Sequence, residues 1–160
     1  MREDAPALLR GTRRQQAETL AESCLLLEDF FEQECSAGHV ELKFDSGPQR
    51  ILVHSHCHQK AMGLLPPALA LLSRIPHCTV LDADAGCCGM AGSFGYQREH
   101  FDLSRRIAEL RLLPAVRSRE PGTKLVAAGT SCRQQIQHLS DETAIHPAVL
   151  LHSLLSRATN

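Results

Sequence analysis

The sequence predicts an α/β fold: a parallel sheet of about four strands flanked by helices and preceded by an amphipathic helix at the amino terminus. Three observations lead there. From Arg50 onward, short β-type apolar runs alternate with stretches of helical periodicity, the signature of βαβ units around a parallel sheet. The 160 residues suffice for one compact domain with a core, and 43% hydrophobic with 22% charged residues is ordinary globular usage. Glycine-rich and cysteine-bearing segments directly follow the β-type runs, where parallel α/β folds gather their binding groups.

Residues 14–34 place Ala17, Leu20, Cys24, Leu27 and Phe31 at three-and-four spacing, with Ala21 and Leu25 alongside, which predicts one amphipathic helix. Thr12 with Gln15 three residues on resembles a capping box at its start. The segment AGHVELKFDSGPQR then reads as a linker or short polar strand, so residues 1–49 are a helical preface and residues 50–160 the α/β domain. Ile51–His54 is the first strand, and residues 61–73 form a helix limited by Pro66 and Pro67. A second strand spans residues 78–82 and leads into DAGCCGMAGSFGY. Residues 98–113 form a helix with Leu103, Ile107 and Leu110 on one face, and Pro114 opens a further turn. A third strand at 124–128, a helix at 131–139, a short fourth strand at 144–146 and a last helix at 148–155 complete a Rossmann-like series of βαβ units.

Charge and hydropathy exclude several partners. With 17 Lys+Arg against 18 Asp+Glu, a net charge of -1 offers nothing general to nucleic acid or anionic lipid. No apolar run approaches the roughly 18 to 20 residues of a membrane span, and the first residues lack the apolar centre of a secretory signal. The expectation is a cytoplasmic protein. In that reducing compartment seven cysteines, an odd number, do not form a disulfide framework, and together with nine histidines they point to metal or redox chemistry.

Cys57 follows the first strand, Cys87 and Cys88 the second, and Cys132 the third, so three loops on one sheet edge deliver four thiols. Four thiolates suit tetrahedral zinc or an iron–sulfur cluster. Neighbouring side chains diverge, so the vicinal Cys87–Cys88 pair serves several metal atoms better than one ion and favours the cluster. Gly86, Gly89, Gly92 and Gly95 allow tight turns and close approach of backbone to an inorganic core. Cys132, at a helix start, has the dipole that favours thiolate. Cys24, Cys35 and Cys78 are expected to be structural.

Blander roles compete at each position. The four thiols could be small buried apolar groups, or Cys87 and Cys88 a thiol–disulfide site, although a vicinal pair fits disulfide geometry poorly. His54, His56 and His58 alternate to the face opposite Cys57, where hydrogen bonding around the site or solvent exposure is expected rather than ligation. His100 and His146 read as structural, Met90 and Phe94 as packing residues. Arg98, Arg105, Arg106, Arg111, Arg117 and Arg119 read as a solvated helix face rather than a docking surface.

HSHCHQKA, CCGMAGSFGY and AGTSCRQQI followed by IHPAVLL resemble the cysteine-rich, or Cys-Cys-Gly, domain of iron–sulfur oxidoreductases. The similarity covers about residues 50–155. It extends to the carboxyl-terminal part of bacterial FAD-linked dehydrogenases of D-2-hydroxy acids such as D-lactate, glycolate or 2-hydroxyglutarate. Heterodisulfide reductase and the iron–sulfur subunit of anaerobic glycerol-3-phosphate dehydrogenase carry similar modules. The resemblance implies a 4Fe-4S electron-transfer domain with Cys57, Cys87, Cys88 and Cys132 as ligands, and Gly86 and Gly89 beside them. It also implies FAD on a partner domain or subunit, an acceptor such as quinone, and a cytoplasmic setting that allows peripheral contact with the inner membrane. One departure stands out: the usual motif ends in Cys-x-x-Cys, whereas Arg133, Gln134 and Gln135 follow Cys132 here. No ferredoxin-type cysteine run or FAD-binding domain is present, so the chain reads as a fragment that does not oxidise a hydroxy acid alone. The rival expectation is a zinc-stabilised docking module using the same thiols.

Overall fold

The computed structural model describes residues 2–156; residues 157–160 of the expected domain lie outside the described residues. The α/β class holds, and among the described residues the sheet has three strands rather than four. β1 (Arg50–His54), β2 (Thr79–Asp82) and β3 (Lys124–Ala127) are parallel in the order β2-β1-β3, with Leu52 opposite Leu81 on one side and Leu125 on the other. The expected fourth strand shrinks to one parallel bridge between Val126 and Ile145. Ala127 N–H donates to the Ile145 carbonyl at 2.9 Å and Ile145 N–H to the Leu125 carbonyl at 3.0 Å. Pairing stops there because His146 caps the next helix, its Nδ1 accepting from Ala148 N–H, and Pro147 then lacks the N–H a strand would use.

Alternation along the strands builds two cores. Leu52, Leu125 and Ala127 face α7 (Leu112–Ser118) and α8 (Thr130–Ser140), meeting Leu112, Val116, Cys132 and Ile136. Ile51, Val53 and Val126 face the opposite way, against Leu71, Leu72 and Ile75 in and after α5 (Leu65–Ser73) and Leu150 and Leu151 of α9 (Pro147–Leu154). A sheet covered on both faces needs nearly continuous apolar strands, which is why all of β1 after Arg50 is buried.

The single amino-terminal helix expected over residues 14–34 is divided. α1 (Asp4–Leu8), α2 (Gly11–Glu22) and α3 (Leu27–Ser36) follow one another, with an extended Leu26 heading α3. Glu28 and Asp29 in the first turn of α3 favour a new start, since the exposed N–H groups of a helix attract negative charge. Thr12 caps nothing; α2 begins at Gly11 with no side-chain cap. The preface belongs to the fold through α3, which packs on α5. Its linker joins the far end of the domain, where Phe44 bridges Leu155 in antiparallel fashion.

The helix expected over 98–113 is α6 (Phe101–Leu110), turning at Arg111 into α7. Its buried residues are Ser104 and Ala108, small enough for the glycine loop to lie against them, while Leu103 and Leu110 of the predicted apolar face are exposed. Four of the six arginines of the region are held by carboxylates: Arg117 forks onto Glu109, Arg111 meets Asp84, Arg119 meets Glu142 and Arg105 meets Asp102. Among the described residues no helix is long and apolar enough to cross a membrane.

The α3–α5 contact carries a two-pronged ion pair. Arg74 donates through Nε and Nη2 to Glu32 at 2.7 and 2.8 Å, and Ser36 Oγ donates to the same carboxylate. The Arg74 hydrogen bonds hold the Glu32 carboxyl below its ordinary value of 4.5. A carboxyl depressed by folding stabilises the protein above its unfolded-state value and loses that effect as pH falls through its folded value. A double-mutant cycle with Glu32→Gln and Arg74→Ala, read by chemical denaturation, should give a coupling of about 0.5–1 kcal/mol at pH 7. The coupling should fade as the buffer is acidified below about pH 4.

Candidate metal centre

The strand order places the site. The chain leaves central β1 toward β2 and then crosses to β3 on the other side, so outgoing connections diverge between β1 and β3 and leave a crevice at their carboxyl ends. His54 closes β1 directly opposite Ala127, the last residue of β3. Cys132, the third residue of α8, enters from the β3 side, and the loop after β2 brings Cys87 and Cys88.

His54, Cys88 and Cys132 meet in this crevice, all buried, with one ligand atom from each lying within 4.8 Å of the others. The Cys132 thiol donates to the Cys88 sulfur at 3.4 Å, although the two residues are 44 positions apart in the chain. Cys87 is half-buried and accepts from Gly89 N–H at 3.2 Å. Cys57 is exposed at the first position of α4 (Cys57–Ala61).

The electrostatics divide the thiols. The hydrogen bond from Cys132 lowers the Cys88 pKa, against burial that raises it, and the His54 ring and Met90 N–H assist. The same bond to Cys88 raises Cys132, and burial adds to it. Negative charge at Cys88, Cys57 and Cys87 pushes Cys132 further up, although Cys57 and Cys87 lie outside the close group formed by His54, Cys88 and Cys132. Thiolate character thus resides on Cys88 rather than on Cys132, where the helix dipole alone would have placed it. Burial first of all raises Cys87, offset by the Gly89 N–H.

The three histidines of HSHCHQKA do not share a face. The chain leaves its extended conformation at His56, whose Nδ1 accepts from His58 N–H as the cap of α4, so His58 is exposed and His54 alone is buried, at 3% exposure. Neither ring nitrogen of His54 reaches a hydrogen-bond partner. A polar group buried in that way costs about 1–3 kcal/mol unless something binds it. Two sulfurs and an unsatisfied imidazole are a donor set that suits a thiophilic metal or an iron–sulfur cluster.

Other residues fix the loops. Lys60 Nζ donates to the Ala85 carbonyl at 3.0 Å and lies 3.6 Å from Asp82, joining α4 to the start of the cysteine loop. Gln135, at the position where the resembling motif has its final cysteine, donates through Nε2 to the Cys88 carbonyl at 3.1 Å and Ser104 Oγ at 2.9 Å. Arg133 donates to the carbonyls of Ala127 and Ala128, holding the turn into α8. Gly89 is required by α6: at φ +91°, a Cβ there would lie 2.1 Å from the Ser104 carbonyl oxygen. Gly86 has open space around it. Met90 packs in the core beside Cys88, Phe94 stacks on His100 with ring centres 3.9 Å apart, and His146 serves as a helix cap. From the sequence, His54 is weighed but expected outside the ligand set, and Gln135 is noted only as a replaced cysteine. Burial of the strand end would have singled out His54, and the helical i, i+3 relation to Cys132 would have turned Gln135 inward.

Fold and centre together define an α/β module whose strand ends assemble a sulfur-rich, metal-competent crevice. Its homologues are dehydrogenase components. The chain is 32% identical over 111 residues to a subunit of the anaerobic glycerol-3-phosphate dehydrogenase of Escherichia coli (strain K12), a match covering 68% of this chain and 27% of that protein. It is 32% identical over 74 residues to the D-2-hydroxyglutarate dehydrogenase of the same strain, covering 46% of this chain and 7% of the relative. The enzyme of that name from Haemophilus influenzae is 34% identical over 70 residues, covering 44% of this chain and 7% of the relative. The chain therefore spans about a quarter of the glycerol-3-phosphate dehydrogenase component and under a tenth of the larger enzymes. No family model matches the chain, and no solved structure does.

Two outcomes follow from this geometry. Under reducing conditions iodoacetamide should alkylate Cys57 well before Cys88 and Cys132, which are 5% and 1% exposed, as read by peptide mass spectrometry over time. Gly89→Ala should cost at least about 2 kcal/mol in denaturant unfolding, because it adds left-handed strain to a clash with α6.

Proposed function

We propose that residues 50–160 are the iron–sulfur electron-transfer domain of a FAD-linked D-2-hydroxyacid dehydrogenase, passing electrons from flavin to an acceptor such as quinone. The observation that carries it is the meeting of Cys88 and Cys132 in the switch-point crevice, with Cys57 and Cys87 close enough to act on them electrostatically, in a chain homologous to dehydrogenase components. When bound, a 4Fe-4S cluster would supply one-electron carriage between a two-electron flavin donor and the acceptor.

The chain's own residues would hold and tune that group. Cys57, Cys87, Cys88 and Cys132 are the proposed thiolate ligands, three loops supplying four sulfurs. N–H groups of Gly89 and Met90 donate toward Cys87 and Cys88 sulfur, which stabilises thiolate charge and lowers the electron density offered to the metal. Burial of Cys88 and Cys132 excludes water on the inner side, whereas exposed Cys57 marks the side open to a redox partner. Oxidation of the hydroxy acid would belong to the FAD-containing domain or subunit, and the chain by itself would not catalyse it. In this setting the protein works on the cytoplasmic side, where peripheral contact with the inner membrane would bring it to quinone.

One observation favours a second reading, a zinc-stabilised docking module. The 3.4 Å sulfur separation of Cys88 and Cys132 is near the edge of about 3.8 Å expected when two thiolates bind one tetrahedral ion at about 2.3 Å. Purification without air, followed by metal analysis and reconstitution with iron and sulfide, separates the two. The electron-transfer assignment predicts stoichiometric iron and acid-labile sulfide, thiolate-to-iron charge-transfer absorption, and an electron paramagnetic resonance signal weakened or lost in Cys132→Ser. Stoichiometric zinc, no iron uptake and no visible absorption would replace it with the structural site.

A further inference from the structure

We infer that His54 is a direct metal ligand of this centre, a fifth protein donor beside the four proposed thiolates, taking the part of the final cysteine that the resembling motif carries and this chain lacks. The assignment rests on the electron-transfer proposal only for the identity of the metal; the ligand role itself stands on the crevice geometry.

Three observations converge on it. His54 is buried with both ring nitrogens unpartnered, and a ring nitrogen lies in the same 4.8 Å group as the sulfurs of Cys88 and Cys132. Gln135 is committed to the Cys88 carbonyl and Ser104, and His56, whose ring lies near the Cys132 sulfur beside Gly129, is not part of that 4.8 Å group. His56 spends its Nδ1 as a helix cap, and His58 is turned to solvent. The placement is also rigid. His54 belongs to the central strand, paired in register with Ala127, so its Cα is fixed by the sheet rather than by a loop. A ligand on a strand and another on a helix fix two sides of the opening whose third side is the cysteine loop.

The charge consequence is specific. A neutral imidazole in place of a thiolate leaves one less negative charge on the metal group, which raises its reduction potential relative to an all-sulfur set. His54 would then help set the potential of the centre.

The test uses the full chain reconstituted anaerobically with iron and sulfide, once with natural-abundance histidine and once with nitrogen-15 histidine. Pulsed electron paramagnetic resonance of the reduced centre should show one strongly coupled histidine nitrogen that changes with the label, is lost in His54→Ala and persists in His58→Ala. His54→Ala should bind iron more than about 10-fold more weakly, whereas His54→Cys should keep its iron and sulfide with a lower midpoint potential. If His54→Ala fails to fold, the wild-type coupling and the potential shift in His54→Cys still decide the matter. A wild-type centre without coupled histidine nitrogen, or a coupling that survives removal of His54, would overturn the assignment while leaving the electron-transfer proposal intact. If the wild type takes up no iron and sulfide, the electron-transfer proposal fails and Co2+ alone reads the ligand role. Thiolate-to-cobalt absorption with tetrahedral intensity that collapses in His54→Ala supports it, and identical cobalt spectra in the two proteins overturn it.

Discussion

The structure depends on a constraint of parallel-sheet topology. Three strands in the order β2-β1-β3 point the same way, so the loops that leave them must emerge on one rim, and the loop from the central strand emerges between the other two. Sulfurs far apart in sequence therefore meet without any local motif joining them, as Cys88 and Cys132 do at 3.4 Å. The apolar strands build that arrangement. Ile51, Val53 and Val126 bury themselves on one face and Leu52, Leu125 and Ala127 on the other, and the register they impose puts His54 level with Ala127. Core and site are two ends of the same strands.

Burial gives the crevice its chemistry. Thiol and imidazole withdrawn from water must find partners or a cation, and the partners found are few: Cys132 to Cys88 and peptide N–H groups to Cys88 and Cys87, while the His54 ring, which helps favour the Cys88 thiolate, has no partner within hydrogen-bond distance. The surroundings are better satisfied. Gln135, Lys60 and Arg133 each use a long polar side chain to pin a backbone carbonyl at the base of a ligand-bearing loop. Rigid support around an under-satisfied centre is the arrangement expected of a preorganised binding site.

Much of this was legible in the sequence, for physical reasons that differ by element. Strand runs at 51–54 and 124–127 were readable because a doubly covered strand is continuously apolar, and Cys57, Cys87, Cys88 and Cys132 fell where β-type runs stop. The fourth strand was overread because apolar character at Ala144 and Ile145 signals burial, which a single bridge provides as well as a strand does. One helix over 14–34 was overread because periodicity carries across the extended Leu26 that divides α2 from α3. α6 shows the limit of an apolar stripe: spacing placed Leu103, Ile107 and Leu110 together correctly, yet the packed side is that of Ser104 and Ala108, chosen by the close approach of Gly89. His54 was hidden by the alternation rule, which assumes that the extended chain continues, whereas α4 begins at Cys57.

The central claim is that one metal-containing group sits where the ends of β1 and β3 face the cysteine loop. Crystals of the anaerobically loaded chain, with diffraction recorded on both sides of the iron and zinc absorption edges, test it directly. The account predicts a single anomalous feature within bonding distance of Cys88 and Cys132 sulfur, with iron as its source. Anomalous density elsewhere on the chain, or a loaded protein in which Cys132 lies remote from the Cys87–Cys88 pair, would contradict it.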